Sequence, residues 1–141
     1  MTLLRKWALL LGLIIMSGGM ISPSAFAQSP SHLVYELRTY TATPGNLNKL
    51  LARFRDHTMR IFEKHGMKNI GYWIPTEGEE SANTLVYLLA HESEEAAMRS
   101  WQAFSADPEW QKVNEESNAG GPILQSVVRK FMHPTDFSPL E

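Results

Sequence analysis

The chain has 141 residues, a net charge of −2 with histidine counted as neutral, and no cysteine. One domain is the expectation for this length, and the slightly acidic charge without any basic stretch excludes a typical nucleic-acid-binding or membrane-surface protein. The lack of cysteine excludes disulfides and attachment as a lipoprotein.

The first 27 residues have the three-part pattern of a secretory signal. A basic pair at residues 5–6 precedes the apolar run of residues 7–16, and an A-x-A triplet ends at Ala27. The run is short for a membrane span, which needs about 20 residues. We therefore expect cleavage near Ala27, a mature domain over residues 28–141, and a periplasmic or secreted protein without a stable membrane anchor. An uncleaved N-terminal anchor is the alternative.

The mature part begins with a strand followed by a helix. Residues 33–41 (LVYELRTYT) read as a strand, whose side chains alternate between its two faces. Apolar residues at helical spacing then predict a helix that starts at Asn46, a candidate N-cap, and ends at Gly66. Its inward stripe, completed by two polar side chains, comprises Leu47, Leu50, Leu51, Phe54, His57, Thr58, Ile61 and Phe62.

The second half of the chain adds three strands and a helix in two pieces. Residues 69–75 (NIGYWIP) are rich in aromatic and branched side chains, which favours a short strand. Residues 84–91 (TLVYLLAH) are almost continuously apolar, which is typical of a strand buried on both faces. Ser93 and Asp107 are placed to cap the two helical pieces, and residues 123–132 (ILQSVVRKFM) form the last strand.

The order β-α-β-β-α-β predicts a ferredoxin-like α+β fold, with a four-stranded antiparallel sheet and both helices on one face. The opposite face of that sheet would expose apolar side chains. A bare apolar face of this size usually marks an interface. We therefore expect a homodimer in which the sheets of two chains pack against each other.

Four blocks of the chain resemble the NIPSNAP domain: VYELRTYTATPGNLNKLL, FEKHGMKNIGYW, ADPEW and PTDFSP. The resemblance covers residues 34–139, and its most specific part is E-L-R-x-Y followed by P-G. It implies a dimeric α+β barrel built from ferredoxin-like chains. It implies no settled reaction and no cofactor, although related barrels include cofactor-free oxygenases, cyclases, lyases and haem proteins.

Three polar side chains share one face of the first predicted strand: Glu36, Arg38 and Tyr40. One interpretation makes them the wall of a small-molecule pocket, in which Arg38 holds an anionic or carbonyl oxygen, Glu36 orients it and Tyr40 donates a hydrogen bond. The other is a buried structural ion pair, because buried charges are tolerated when they are paired. We expect this face to lie under the first helix, with His57 directed toward it.

His57 is a candidate acid-base or ligand-binding residue, and a histidine packed at the rim of the core is the alternative. Trp73 is a candidate for lining an apolar ligand cavity, although aromatic residues in a small domain more often form its core. The histidines show no metal-ligand spacing, and no phosphate-binding glycine loop is present. The sequence therefore predicts neither a metal site nor a bound cofactor.

Three classes of function remain open. The first is a dimer that binds a small apolar or aromatic molecule between sheet and helices. The second is a cofactor-free enzyme of the oxygenase, cyclase or lyase kind, with His57 or Tyr40 as its acid-base group. The third is a module that binds another exported protein. The polar row on the first strand favours the first two classes, while the absence of a recognisable catalytic motif favours the first and the third.

Overall fold

The structure is a computed structural model that describes residues 33–140. The predicted signal sequence and its cleavage point lie outside the described residues. Within the described range, no helix is long and apolar enough to cross a membrane.

Four antiparallel strands form a single sheet in the order β2-β3-β1-β4. The strands are β1 (Val34–Ala42), β2 (Lys68–Trp73), β3 (Thr84–His91) and β4 (Leu124–Met132). The helices are α1 (Leu47–Arg53), α2 (Met59–Lys64), α3 (Glu94–Ala106) and α4 (Pro108–Ser117). A 3-10 helix, Glu79–Ala82, precedes β3. The predicted ferredoxin-like α+β fold is confirmed.

The core lies between the sheet and the helices. Tyr87 at its centre is fully buried on β3, and rings from four other elements surround it. Phe54 and Tyr40 meet it edge-on at 5.1 Å between ring centroids, and Tyr72 stacks on it at 5.3 Å. Aromatic pairs in such arrangements gain about 0.5–1.5 kcal/mol beyond the burial of their area. Most aromatic residues between positions 33 and 140 therefore belong to the core or pack against it.

The helix ends agree with the sequence except at the first helix. The Ser93 hydroxyl accepts the Ala96 N–H at 3.1 Å, and the Asp107 carboxylate accepts the Glu109 N–H at 2.8 Å, so both act as N-caps. Asn46 occupies the N-cap position but donates its side-chain amide to Thr43 Oγ1 instead of capping the helix. The predicted N-cap position is therefore correct, but the prediction that the Asn46 side chain caps the helix is wrong.

A π-helical turn, Phe54–Thr58, joins α1 to α2. In it the Met59 N–H donates to the Phe54 carbonyl, five residues back, so the turn takes more residues than an α-helical one. The buried Thr58 hydroxyl donates to the Arg53 carbonyl at 3.1 Å. The inward residue that follows Phe54 is consequently Thr58, and His57 lies on the exposed side of the helix.

Candidate functional site

The polar row of β1 faces the helices, and Glu36 is its centre. The Glu36 side chain is fully buried. Its Oε1 accepts Arg38 Nε at 2.8 Å, and its Oε2 accepts His91 Nε2 at 2.9 Å and Trp101 Nε1 at 2.7 Å. Strand pairing brings His91 there, because Val34 is opposite His91 in the antiparallel register of β1 and β3. Trp101 reaches the carboxylate from α3.

Arg38 is enclosed in the same network. Its guanidinium lies 3.7 Å from the centre of the Trp101 ring, and its Nη1 donates to the Tyr40 hydroxyl at 3.1 Å. Cation–π contacts of this kind are worth about 2 kcal/mol when they are desolvated. We call these five residues the Glu36 cluster: Glu36, Arg38, Tyr40, His91 and Trp101.

The charge on Glu36 is stabilised within this cluster. Burial raises the pKa of the Glu36 carboxyl. Hydrogen bonds from His91 and Trp101 lower it, as do the charge and hydrogen bond of Arg38. These partners outweigh burial, so the pKa of Glu36 lies below its ordinary value. Burial lowers the pKa of Arg38, whereas the nearby Tyr40, Tyr87 and Glu36 raise it, and the net direction is upward. The carboxylate and guanidinium are therefore both charged and paired, which is the geometry of a structural ion pair.

Tyr40 connects this cluster to a small cavity under the helices. The cavity has a volume of about 70 Å³. Its walls are mostly aromatic and are formed by Tyr40, Arg53, Phe54, Thr58, Phe62, Phe104, Trp110, Asn114 and Leu124. An apolar cavity of about 150 Å³ can bind benzene, so this space is too small for an aromatic ring.

A larger open cleft lies between α1, the π-helical turn and α4. Its volume is about 360 Å³, within the range of about 300–1,000 Å³ that small-molecule sites occupy. The lining residues are Lys49, Ala52, Arg53, Asp56, His57, Val113, Glu116, Ser117 and Gly120. The cleft therefore combines a few small apolar surfaces with charges of both signs.

Arg53 lines both the cleft and the aromatic cavity. Its residue surface is only 5% exposed. Its Nη1 donates to Ser117 Oγ at 3.2 Å, its guanidinium lies 5.2 Å from the centre of the Trp110 ring, and its Nε is buried without a hydrogen-bond partner. Within residues 33–140, no carboxylate forms a salt bridge with it.

The structure separates His57 from the polar row that it was expected to face. His57 is exposed and lines the outer cleft, whereas Tyr40 lines the inner cavity, and Arg38 lines neither space. The expectation of one cavity shared by His57, Arg38 and Tyr40 is wrong, because the π-helical turn rotates His57 out of the inward stripe. The polar row also lies only in part under the first helix, since Trp101 of α3 covers Glu36 and Arg38.

Trp73 lies on the other side of the sheet. Its neighbour Tyr72 faces the helices and stacks on Tyr87, so Trp73 points to the opposite face, where it is 53% exposed. The expectation that Trp73 lines a cavity between sheet and helices is therefore wrong, because its ring lies on the other face of the sheet. A Cβ on Gly71 would lie 2.5 Å from the Trp73 ring, so the indole lies across the glycine.

Sequence reasoning missed Arg53, His91 and Trp101 as members of these sites. The one local signal was the position of Arg53, which comes three residues after Leu50 and directly before Phe54, at the border of the inward stripe. His91 and Trp101 reach Glu36 only through the tertiary fold. Among the described residues, no group of three histidine, aspartate or glutamate side chains is placed to hold a metal ion.

Comparison with known protein families confirms the resemblance. The NIPSNAP family profile matches residues 35–139, which is most of the chain. The chain belongs to the NIPSNAP family. Comparison with curated proteins gives no match.

Solved NIPSNAP structures share the fold. A NIPSNAP family protein of unknown function from Agrobacterium tumefaciens is 26% identical, with a TM-score of 0.69 and coverage of 80% of this chain and 97% of that one. A NIPSNAP-like domain protein from Burkholderia xenovorans is 27% identical, with a TM-score of 0.67 and coverage of 77% and 90%. A cofactor-independent oxygenase from Streptomyces nogalater shares the fold alone, at 14% identity, a TM-score of 0.52 and coverage of 77% and 98%.

Proposed function

We propose that this NIPSNAP protein is an exported homodimer that binds a small molecule with an apolar or aromatic body in the cleft between α1 and α4. The observation that carries the proposal is the position of the cleft, which adjoins the aromatic cavity at Arg53. The cavity alone is too small for a ring, so the ligand body lies in the cleft, against Ala52 and Val113. A mainly concave site with a few polar groups is the usual form of a small-molecule site.

The test uses three naphthalene derivatives as probes, which carry a hydroxyl, an amide or a carboxylate at the same position. Titration of a protein that comprises residues 28–141 should shift backbone amide signals around Ala52 and Val113 with at least one probe. The variant Ala52→Phe places a ring in the cleft and should abolish these shifts. Ala103→Phe is the matched control, because Ala103 is exposed on α3 away from the cleft. Unchanged spectra with all three probes would refute binding in this cleft.

The proposed dimer joins the sheets of two chains. The sheet face opposite the helices carries half-buried Leu37, Val86 and Leu88, and the more exposed Trp73 and Val128. Apolar side chains on one face of a sheet favour a second sheet as their cover. Tryptophan is also among the residues that contribute most to binding at interfaces. A second copy of this chain supplies a complementary face by symmetry.

Light scattering of the mature protein at micromolar concentration should give twice the monomer mass. Val128→Asp should yield a monomer, since Val128 is 61% exposed on the proposed interface. Met98→Asp on α3 is the control, because Met98 is similarly exposed on the helical side. A monomer of the unmodified chain, or a dimer that Val128→Asp leaves intact, would contradict the arrangement.

Export is proposed from the signal pattern at residues 1–27. Intact-mass analysis of the protein from the cell envelope or medium should give the mass of residues 28–141. A mass that includes the first 27 residues would contradict cleavage.

A cofactor-free enzyme is the second candidate, and Tyr40 is the observation that favours it. Its hydroxyl accepts a hydrogen bond from Arg38 Nη1, and the residue lines the inner cavity. A phenol held beside a cation is a suitable acid-base group, and the same fold occurs in a cofactor-independent oxygenase. If the protein turns over a bound compound, Tyr40→Phe should lower kcat strongly. Unchanged kcat in Tyr40→Phe would exclude this role.

A further inference from the structure

We propose that Arg53 binds a carboxylate group on the ligand of this cleft. The inference rests on the proposed small-molecule function and deepens it by naming the ligand class, a monoanion with an apolar or aromatic body.

The first argument is the missing partner of Arg53. A buried cation is tolerated when an anion and hydrogen-bond acceptors surround it, and it is strongly destabilising when that partner is missing. Arg53 is as well buried as Arg38, yet its only hydrogen-bond acceptor among residues 33–140 is the neutral Ser117 hydroxyl. Its Nε remains buried without a partner. One N–H edge of the guanidinium therefore still lacks an acceptor.

The second argument is that the carboxylates that form close ion pairs do so with cations other than Arg53. Glu36 pairs with Arg38, and Glu109 pairs with Arg60. Asp107 pairs with Lys64 and His65. In the part of the chain that the structure describes, Arg53, which lines both the cleft and the cavity, forms no ion pair. Burial also lowers the pKa of Arg53, the direction that an unpaired cation shows.

The third argument concerns the charges that face the same space. Lys49 and His57 line the cleft, as do the carboxylates of Asp56 and Glu116. The two carboxylates disfavour a ligand with two or more negative charges, such as a phosphate monoester. One planar carboxylate suits the fork of N–H groups that a guanidinium presents. The apolar body that carries the carboxylate would lie against Ala52 and Val113, which line the same cleft.

The experiment compares 2-naphthoate with 2-naphthamide, which has the same ring and a neutral head, by isothermal titration calorimetry. Wild-type protein should bind the carboxylate at least about tenfold more tightly, since a hydrogen bond to a charged group contributes about 1.5–3 kcal/mol. Arg53→Met and Arg53→Gln should each bring the two affinities within about threefold of each other. Arg60→Met, which removes an exposed arginine outside the cleft, should keep the full preference.

The outcomes separate this inference from the function on which it rests. Equal affinity of wild-type protein for both probes would refute the carboxylate anchor and leave small-molecule binding intact. A preference for 2-naphthoate that survives in Arg53→Met and Arg53→Gln would assign the anion to another group and also refute the anchor. If all three naphthalene derivatives fail to bind, the cleft function itself fails and the anchor with it.

Discussion

Arg38 and Arg53 both lie between the sheet and the helices, and both are almost fully buried. Arg38 has a carboxylate, a phenol and an indole around it. Arg53 has one hydroxyl and one more distant indole, and no carboxylate among residues 33–140 pairs with it. The comparison shows that burial of a charge does not by itself identify its role. A charge whose partners are all in the chain serves the fold, whereas one without an ionic partner has capacity left for a ligand.

The largest expected effect is on the paired arginine. Arg38→Met leaves the Glu36 carboxylate buried without its cation, so the free energy of unfolding should fall by about 3–5 kcal/mol. Urea denaturation followed by circular dichroism measures this change in the free energy of unfolding.

The control for that prediction is the double variant Glu36→Leu with Arg38→Met. It removes both charges, so it should recover much of the stability lost by Arg38→Met. If Arg38→Met unfolds at the same urea concentration as wild type, the Glu36 cluster does not stabilise the fold and the contrast between the two arginines disappears.

Trp101→Phe should lower the free energy of unfolding by a smaller amount than Arg38→Met. The phenyl ring keeps most of the apolar contact but removes the Nε1–H that donates to Glu36 Oε2. A hydrogen bond to a charged group is worth about 1.5–3 kcal/mol, and the unfolding free energy should fall by that amount. Trp73→Phe, on the opposite face of the sheet, serves as the control and should change the urea midpoint of a monomeric variant much less. Equal losses in the two variants would show that indole packing, and not the hydrogen bond, is responsible.

The unpaired arginine should behave in the opposite way. Arg53→Met replaces a buried cation that lacks an anion by an apolar chain of similar length, so stability should stay within about 1 kcal/mol of wild type or rise. The same urea series provides the measurement. A loss as large as that of Arg38→Met would mean that Arg53 has a structural partner, and the proposed ligand anchor would lose its basis.

The smallest expected effect is a difference in pH dependence. Because the folded pKa of Glu36 lies below its ordinary value of 4.5, its contribution to stability is complete above that pH and is lost as pH falls through the lowered folded pKa. Other acidic groups add to this acid loss, so the comparison is with Glu36→Gln, whose unfolding free energy should fall less steeply below pH 4.5. Arg53→Met should keep the wild-type slope. Parallel curves for wild type and Glu36→Gln would contradict the assignment.

The fold followed from patterns that are local in the chain. Strand alternation placed Glu36, Arg38 and Tyr40 on one face, and helical spacing with the caps at Ser93 and Asp107 gave the element order. These patterns are predictable because a period of two or 3.6 residues depends only on backbone geometry. The antiparallel ferredoxin-like arrangement then follows from the order of the elements.

The site was less predictable because its geometry depends on departures from those periods. The π-helical turn adds to the residues per turn after Phe54 and moves His57 outward. In β2 the register shifts between Asn69 and Gly71, and the two adjacent aromatic residues Tyr72 and Trp73 make the inward face ambiguous from sequence. Arg53 carries no pattern that distinguishes it from a solvated helix arginine, and its isolation is visible only when the carboxylates of other elements are in place.

The π-helical turn also has a consequence for changes in chain length. A π turn is equivalent to an α-helix into which one residue has been inserted, and the surplus here falls within the exposed residues Arg55, Asp56 and His57. A deletion of one of these three would restore ordinary helical pitch while Phe54 and Ile61 stay at inward positions. The first helix can therefore lose a single residue at this point without disturbing the sheet beneath it, and the residues that border the cleft are the ones that such a deletion would rearrange.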